Sequence, residues 1–425
     1  MAEIVVLGAG LGGTIMAYEL LAQLRPSDRL TVISEGSTYY FVPSNPWVAV
    51  GWRKPQDIAV PLAAPMARKH ITLRPEGAER VHPERRSITL RDCSEVTYDY
   101  LVIATGPDLA FDEVPGLGPD HHTQSICRTD HASDAYAAFE HLCAAPGPVV
   151  VGAAAGASCF GPAYEFALIV DTELRKRGIR DKVKMHFVTP EPFIGHLGLD
   201  GVGDTKSLLE REFRNRHIKW ITNARIAEVT EGEMRVQEIA PDGSLATEQT
   251  LEFAYSMILP AFRGVDAVRG IEKLTNPKGF ILIDKHQCNP TYREVFGIGV
   301  CVAIPPIGPT PVACGVPKTG FMIESMVTAV ARNIGAALRD EAPEWEASWN
   351  AVCLADFGDG GVAFVAQPQI PPRNVNWSSS GKWVHLAKIG FEKYFLRKIA
   401  RGESEPFYER FVLEQLGIRK LKKVS

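Results

Sequence analysis

The sequence has no uninterrupted apolar run close to the roughly 20 residues that a membrane-spanning helix needs. Its start lacks a basic segment, a separate apolar segment and a small-residue cleavage site, so we expect no export. No two cysteines have the CxxC spacing typical of zinc sites, and we expect no bound metal. The net charge is only −4, which gives no general attraction to nucleic acid.

The length and composition predict a folded protein of more than one unit. Its 425 residues exceed the roughly 250–300 that a single hydrophobic core usually serves. Hydrophobic residues make up 45% of the chain and charged residues 23%, which is ordinary for a globular protein. In a chain that stays in the cell a disulfide framework is not expected, so the eight cysteines are core residues or redox groups.

A βαβ unit with a glycine-rich turn opens the chain. Ile4–Leu7 and Leu30–Ile33 predict two strands, and a helical pattern lies between them. In such a unit the first glycine makes the turn, the second lets the backbone approach a pyrophosphate, and the last lets helix and strand pack closely. The predicted dinucleotide-binding residues of this turn are Gly8, Ala9, Gly10, Gly12 and Gly13.

The first site favours FAD over NAD. Ser34 stands where an acid usually binds the ribose and Glu35 follows one residue late, so either side chain is a candidate for that contact. Further on, a strand runs into Ala104-Thr105-Gly106, which resembles the ATG motif of flavoproteins with two dinucleotide-binding domains.

A second dinucleotide fold with an altered fingerprint is predicted in the middle of the chain. Gly152 remains at the turn, but Ala154 and Ala157 replace the second and third glycines, and Thr189 replaces the ribose-binding acid. We interpret this unit as an NAD domain that has lost NAD. Cys159 is expected in the first turn of its helix, where the helix dipole shifts a thiol toward thiolate.

Strands are predicted again over residues 253–260 and 280–299. The second run ends in Val295-Phe-Gly-Ile-Gly299, which resembles the end of an FAD domain. Val300 follows where an Asp is usual, and this departure favours a specialised branch. Cys353 lies more than 190 residues beyond Cys159, and sequence spacing leaves a core role and a catalytic role equally open for it.

Six segments match one family in combination. They are Gly8–Gly13, Phe41-Val-Pro-Ser-Asn-Pro-Trp47, Ala104–Gly106, Gly156-Ala-Ser-Cys-Phe-Gly-Pro-Ala-Tyr-Glu165, Pro317-Lys-Thr-Gly320 and the segment around Cys353. Together they resemble the sulfide:quinone oxidoreductases, in their bacterial type I branch, over nearly the whole chain. The 41–47 segment and the two cysteine segments are far more specific than the glycine motif.

The resemblance implies an α/β fold with two Rossmann-like domains. It places an FAD domain over residues 1–112 and 270–340 and a degenerate NAD-type domain over 113–269. A C-terminal region over 341–425 would carry Cys353 and basic amphipathic helices that face a membrane.

Three working cysteines are implied by the same resemblance: Cys127, Cys159 and Cys353. Hydrosulfide would attack a Cys159–Cys353 disulfide, or a sulfur-bridged form of it, and leave a persulfide on Cys159. Cys353 would then add to the flavin C4a, and Cys127 would assist the release of polysulfide. The other five cysteines fall outside the matched segments.

Quinone reduction consumes two protons, so proton carriers are needed. His131 and His196 lie in segments that match the family, and an imidazole pKa of about 6.5 suits a relay. A structural role stays open for both histidines. Glu165 is a further candidate acceptor beside Cys159, with a helix-surface carboxylate as the alternative.

The resemblance assigns further residues to the cofactor and the quinone. For FAD they are Ser44, Asn45, Ala104, Thr105, Gly106, Gly299, Lys318, Gly320 and Lys388. For the quinone they are Phe41, Pro43, Gly320, Phe391 and Tyr408.

Basic charge is concentrated at the C-terminal end, where residues 378–425 contain eleven Lys or Arg against five Glu. Apolar residues recur there at helical intervals with basic residues between them, and a second stripe begins at Tyr408. The apolar members are Trp383, Leu386, Ala387, Phe391, Tyr394 and Phe395, and the basic members are Lys382, Lys388, Lys393, Arg397 and Lys398. Such helices either dock on the core or lie in a lipid headgroup layer.

A lipid-dissolved substrate favours the membrane alternative. We therefore expect an enzyme that uses sulfide and a ubiquinone-type quinone, peripheral to the cytoplasmic membrane of a bacterium. The flavin subunit of flavocytochrome c sulfide dehydrogenase, a type II NADH dehydrogenase and a flavin-containing redox sensor are alternatives, and the oligomeric state stays open.

Overall fold

The computed structural model describes residues 1–405 and 419–422. Within these ranges the chain forms eight α-helices and twenty-two strands. The helices are α1 (Leu11–Leu20), α2 (Asn45–Val48), α3 (Ala63–Arg68), α4 (Thr129–Ala144), α5 (Gly161–Lys176), α6 (Thr205–Asn215), α7 (Gly320–Ala337) and α8 (Lys382–Arg401). The strands of the first half are β1 (Glu3–Leu7), β2 (Arg29–Ile33), β3 (Thr38–Tyr40), β4 (Ala59–Pro61), β5 (Thr72–Arg74), β6 (Ala78–His82), β7 (Ser87–Leu90), β8 (Glu95–Thr97), β9 (Tyr100–Ile103), β10 (Asp108–Ala110), β11 (Val149–Ala153) and β12 (Met185–Val188). Those of the second half are β13 (Ile218–Ile221), β14 (Ala224–Thr230), β15 (Glu233–Ile239), β16 (Leu245–Glu252), β17 (Tyr255–Leu259), β18 (Ala261–Arg263), β19 (Val295–Gly297), β20 (Ala351–Asp356), β21 (Gly361–Gln367) and β22 (Val375–Ser380).

A five-stranded parallel sheet organises the N-terminal part in the order β19-β9-β1-β2-β5. The predicted β1–α1–β2 unit forms as expected because its short apolar strands are mostly buried and α1 packs against both of them. The sheet takes strands from both stretches assigned to the first domain, since β19 comes from the later one. α7 packs against α1 and covers one face.

A second parallel sheet has the order β13-β12-β11-β17. The strands predicted around residues 149, 185–188 and 253–260 are β11, β12 and β17. β10 precedes this stretch of chain and β18 follows it, and the two strands pair antiparallel. The α/β fold with two Rossmann-like units is therefore confirmed, while the exact domain boundaries stay predictions.

The strand run predicted over 280–299 is wrong except for β19. Ile281 and Cys288 make only isolated bridges. Side chains that bond to nearby backbone amides explain the difference, because they offer the chain an alternative to a ladder. The Asp284 carboxylate accepts from the main-chain amide of Cys288, and the side-chain oxygen Oδ1 of Asn289 accepts from the main-chain amide of Tyr292.

The C-terminal region begins with the antiparallel sheet β20-β21-β22 and continues into α8. β20 packs against α5, α7 and α8, so the strand that carries Cys353 lies beside the helix that follows Cys159. The second predicted helix, with Tyr408, lies outside the described residues. Of the helices that are described, none is long and apolar enough to cross a membrane.

Candidate active site

The glycine-rich turn fits a bound dinucleotide. Gly8 has φ +108°, and a Cβ there would lie 2.4 Å from the carbonyl oxygen of Ala104. A Cβ on Gly13 would lie 1.9 Å from the Gly8 carbonyl oxygen, so helix and strand approach too closely for any side chain. Gly10 faces open space, as do Gly106 and Gly320. Gly10 directly precedes α1, and the N-terminus of this helix is suited to a pyrophosphate.

The two candidates for ribose binding follow β2. The Ser34 hydroxyl donates to the carbonyl of Gly36 at 2.6 Å. The Glu35 carboxylate is exposed and pairs with Arg91. Both residues lie at the end of the strand beside the glycine turn, and their contact with a ribose stays a prediction.

The turn of the second unit packs against protein. A Cβ on Gly152 would lie 1.9 Å from the Val188 carbonyl oxygen, as close packing of strands requires. The Gly156 amide donates to the Ala313 carbonyl at 2.7 Å, and the Gly315 amide donates to the Ala157 carbonyl at 2.8 Å. A protein segment thus lies against the altered fingerprint, which supports the interpretation that this unit does not hold NAD.

Cys159 lies two residues before α5, so the prediction that it is in the first helical turn is wrong. Pro162 near the helix start explains this boundary, because its fixed φ and missing N–H suit the first turn. The expected shift toward thiolate is also wrong in direction. Burial raises the pKa of the Cys159 thiol to about 11, with a further rise from the Glu165 charge and a smaller opposing effect of Lys318.

Three cysteines from separate parts of the chain meet in one region. Cys127 precedes α4, Cys159 precedes α5, and Cys353 lies on β20. Burial raises the pKa of Cys127 and of Cys353 to about 12, and a charge on Cys159 raises both further. All three are partly buried free thiols in this structure. The structure thus brings together the cysteines that the resemblance singled out.

Two lysines supply positive charge to this region. Burial lowers the pKa of Lys318 to about 8, against the opposing charges of Cys301 and Cys159. The charge of Lys388 lowers the pKa of Cys353, against the dominant effect of burial. Cys301 is buried beside the ATG segment, and its thiol donates to the Ile298 carbonyl at 3.1 Å.

Glu165 and Lys388 form a buried ion pair between α5 and α8. The alternative that Glu165 is a helix-surface carboxylate is therefore wrong. Burial raises the pKa of Glu165 to about 7, although the Lys388 charge opposes this rise. The Asp356 charge adds to it. A carboxyl with this pKa exchanges a proton near neutral pH.

Sequence reasoning missed a second acid–base pair beside the first. Asp356 ends β20 and is fully buried, and its carboxylate lies 2.8 Å from Nδ1 of His385. Trp47 donates its indole N–H to the same carboxylate at 2.8 Å. The acid at the end of the Cys353 strand was visible in the sequence, but nothing local connects it to a histidine 29 residues later.

Burial disfavours the charged form of both predicted proton carriers. Burial lowers the pKa of His131 and of His196. Among the described residues, Nδ1 of His131 has no hydrogen-bond partner, while Nδ1 of His196 accepts from the Gly198 amide at 3.2 Å. The His196 loop packs near Phe160, the residue that follows Cys159, because a Cβ on Gly198 would lie 3.2 Å from the Phe160 ring. Their relay role stays a prediction.

Phe41 and Phe391, two of the residues assigned to the quinone, meet beside Phe395 of α8. The Phe41 ring centroid lies 5.9 Å from that of Phe391 and 5.6 Å from that of Phe395. Phe41 is buried, whereas Phe391 and Pro43 are exposed. Tyr408 lies outside the described residues, so its predicted position in this aromatic cluster is untested.

Ser44 and Asn45 use their side chains inside the protein. The Ser44 hydroxyl donates to the Glu392 carboxylate at 2.5 Å and so ties this segment to α8. The Asn45 amide donates to the Ile126 carbonyl at 2.9 Å, and its oxygen accepts from the Thr129 hydroxyl at 3.0 Å. A cofactor contact by either residue stays a prediction and would use the backbone.

Basic side chains were predicted on the exposed side of α8, and this prediction is wrong for Lys388 and Lys398. Lys388 and Lys398 are buried because carboxylates on α5 and α7 face the helix, and Lys398 pairs with Glu324 at 3.2 Å. Other predicted members are exposed, and they form an outward face with both apolar and basic groups. Its members are Lys382, Trp383, Leu386, Phe391, Lys393 and Arg397.

Comparison with known proteins agrees with this geometry. The chain matches the family model for pyridine nucleotide-disulphide oxidoreductases over residues 2–331. A sulfide-quinone reductase of Aquifex aeolicus is 41% identical over 414 residues, which cover 97% of this chain and 94% of that protein. The X-ray structure of the sulfide:quinone oxidoreductase from Aquifex aeolicus superposes with a TM-score of 0.95 at 40% identity, over 99% of this chain and 97% of the other.

A more distant structure shares the fold alone. NDH2 from Plasmodium falciparum in complex with NADH superposes with a TM-score of 0.69 at 13% identity, over 99% of this chain and 100% of the other. The near-complete overlap at 41% identity decides the branch. The chain belongs to the sulfide-quinone reductases, flavoprotein oxidoreductases of the pyridine nucleotide-disulphide oxidoreductase family.

Proposed function

We propose that the protein oxidises sulfide to polysulfide or elemental sulfur and passes the electrons through FAD to a membrane quinone. The observation that carries this proposal is the meeting of Cys127, Cys159 and Cys353 beside two lysines. The Aquifex aeolicus relative, named a sulfide-quinone reductase, supports it.

FAD fits the first Rossmann-like unit. Open space beside Gly10, Gly106 and Gly320 leaves room for it, and the amides at the start of α1 suit its pyrophosphate. When bound, FAD takes up two electrons from sulfur and delivers them to the quinone. Lys318 supplies a positive charge between this unit and Cys159.

The cysteines carry the sulfur chemistry. Hydrosulfide attacks Cys159 of a Cys159–Cys353 disulfide, so that a new S–S bond forms, the old one breaks, and its electron pair stays on Cys353. Burial disfavours the Cys353 thiolate, and the Lys388 charge partly offsets this cost. Cys127 takes part in releasing the lengthened sulfur chain.

The quinone is proposed to reach the aromatic cluster from a lipid surface. Phe391 joins that cluster to the outward face of α8, where Trp383 and Leu386 are also exposed. Exposed apolar side chains with neighbouring Lys and Arg suit a lipid headgroup layer. We therefore place the protein as a peripheral protein at the cytoplasmic membrane of a bacterium.

An anaerobic titration tests the proposal. Sulfide should bleach the bound flavin, and decylubiquinone should restore its colour. Bleaching by NADH instead would indicate an NADH dehydrogenase, and recolouring by a cytochrome but not by the quinone would indicate a flavocytochrome c type of enzyme. A flavin that stays oxidised in sulfide would leave the redox-sensor alternative and reject the proposed reaction.

A further inference from the structure

One side of α8 carries two bases that point toward buried acids. His385 and Lys388 are three residues apart and therefore lie on the same helix face. Nδ1 of His385 lies 2.8 Å from Oδ1 of Asp356, and the Lys388 ammonium pairs with Glu165. Two acid–base pairs thus stand side by side between α8, α5 and the end of β20.

Asp356 connects the two pairs. Its charge raises the pKa of the Glu165 carboxyl, and its carboxylate lies in hydrogen-bond contact with His385. Trp47 holds the second carboxylate oxygen, and the Trp47 ring centroid lies 5.6 Å from Nζ of Lys388. A change of charge at Glu165 therefore acts directly on Asp356 and through it on His385.

His385 is the member of this group that reaches the outside. Its side chain is 28% exposed, against 0% for Asp356, 7% for Glu165 and 5% for Lys388. It lines a cavity of about 170 Å³. That volume admits several water molecules at roughly 30 Å³ each. The other lining residues are Trp47, Trp52, Arg53, Lys176 and Ile389.

Charges of both signs face the imidazole. Asp356 approaches it from β20, Lys176 from α5 and Arg53 from the segment after α2, while Lys388 lies on the next turn of its own helix. Arg53 is itself paired with Glu392 at 3.0 Å. Asp356 is the anion in hydrogen-bond contact with the ring, so it is the partner with which the imidazole exchanges a proton.

We propose that His385 and Asp356 carry protons between Glu165 and this cavity during sulfide oxidation, an inference that rests on the proposed function. When hydrosulfide opens the disulfide, the electron pair of the broken bond stays on Cys353 and the attacking sulfur keeps its proton. That proton passes from the persulfide on Cys159 to Glu165. It then leaves through Asp356 and His385 to solvent, which frees the persulfide for the next step.

The test is chemical rescue of His385→Ala in the flavin-loaded enzyme. Anaerobic stopped-flow should show that sulfide bleaches the flavin about 100-fold more slowly than in the wild type, within the usual contribution of a positioned proton carrier. Added imidazole should enter the enlarged cavity and restore the rate, and substituted imidazoles should restore it in the order of their pKa values. The control is His141→Ala, an exposed histidine of α4, which should bleach at the wild-type rate with or without imidazole.

His385→Gln supplies an independent measurement, because Gln keeps a hydrogen-bond donor but carries no proton. It should be as slow as the Ala variant, and it decides the question if the Ala variant does not fold. A Gln variant at the wild-type rate, or a slow Ala variant that imidazole does not rescue, overturns the inference. Wild-type flavin that sulfide fails to bleach rejects the proposed function instead, so the two failures are distinguishable.

Discussion

The carboxylate of Glu165 and the ammonium of Lys388 form an ion pair that is buried between α5 and α8. Two hundred and twenty-three residues separate them in the chain. The pair lies beside Cys159 and Cys353, whose pKa values respond to Glu165 and Lys388 respectively. It therefore links the proton inventory of the site to its sulfur chemistry.

Replacing Lys388 with Met should shift the pH dependence of sulfide oxidation. Burial already raises the pKa of Glu165 to about 7, and Lys388 opposes this rise, so its removal should raise the pKa further. Because the ionised carboxylate accepts the proton, the midpoint of the flavin bleaching rate against pH should move upward. Loss of one partner of a buried pair should also lower the free energy of unfolding by about 3–5 kcal/mol.

Lys393→Met is the matched control for this change, since Lys393 is exposed on the same helix. It should leave both the midpoint and the stability unchanged. The ionisation of sulfide itself affects all variants equally. If the pH midpoint of the bleaching rate does not shift in Lys388→Met, Glu165 is not the group that accepts the proton.

Cys353→Ala should bind FAD but resist reduction by sulfide. The cofactor is held by the first Rossmann-like unit, whereas Cys353 lies on β20 and its thiolate is the leaving group of the disulfide. Absorbance spectra before and after anaerobic sulfide measure both properties. Cys93→Ala, an exposed cysteine outside the site, should bleach normally. Bleaching of the Cys353 variant at the wild-type rate would remove this residue from the reaction.

Because of Glu191, the free energy of unfolding should decrease as pH rises from about 4.5 to about 7. Burial raises the pKa of Glu191 to about 7, while hydrogen bonds from Thr189, Tyr164 and the Leu197 amide partly oppose the rise. The fold therefore favours the protonated acid, and its contribution is complete below the unfolded pKa and is lost as pH passes the folded value. Thermal unfolding across this window should show a smaller loss in Glu191→Gln. An equal loss in both proteins would assign the pH dependence to other groups.

The local parts of this fold could be predicted from sequence, and the long-range contacts could not. The β1–α1–β2 unit is specified by neighbouring apolar residues and glycines, whereas the error over 280–299 arose from side chains such as Asn289 that bond to the backbone. The meeting of Cys159 with Cys353 required a family resemblance. Helical periodicity predicted Lys388 to lie on a basic face. It could not predict that Lys388 is buried, because no local pattern shows that a carboxylate on a distant helix faces this residue.

Phe391→Ala should slow the transfer of electrons to quinone and spare the reaction with sulfide. Its ring contacts Phe41 and Phe395, with a centroid distance of 4.5 Å to Phe395. The residue is assigned to the quinone and takes no part in the proposed chemistry of the cysteines. Reoxidation of prereduced flavin by decylubiquinone should become slower, by about 10-fold if one ring contact worth about 1.5 kcal/mol is lost. Bleaching by sulfide, measured separately, should be unchanged. A defect in the sulfide step alone would contradict the assignment of this cluster to the quinone.

Trp383→Ser combined with Leu386→Ser should weaken binding to lipid. Trp383 is 46% exposed and Leu386 is 69% exposed, so both changes leave the core intact. Each side chain transferred from water to lipid contributes on the order of 1–2 kcal/mol, and the pair together should change the partition coefficient by roughly 30-fold or more. Sedimentation with vesicles of anionic phospholipid measures this coefficient, and flavin content checks that the fold is preserved.

Leu245→Ser, a change of an exposed apolar residue on β16, should sediment like the wild type. Because the exposed basic residues of α8 remain, high salt should release the double variant at lower ionic strength than the wild type. Unchanged sedimentation of the double variant would show that this face of α8 does not enter lipid.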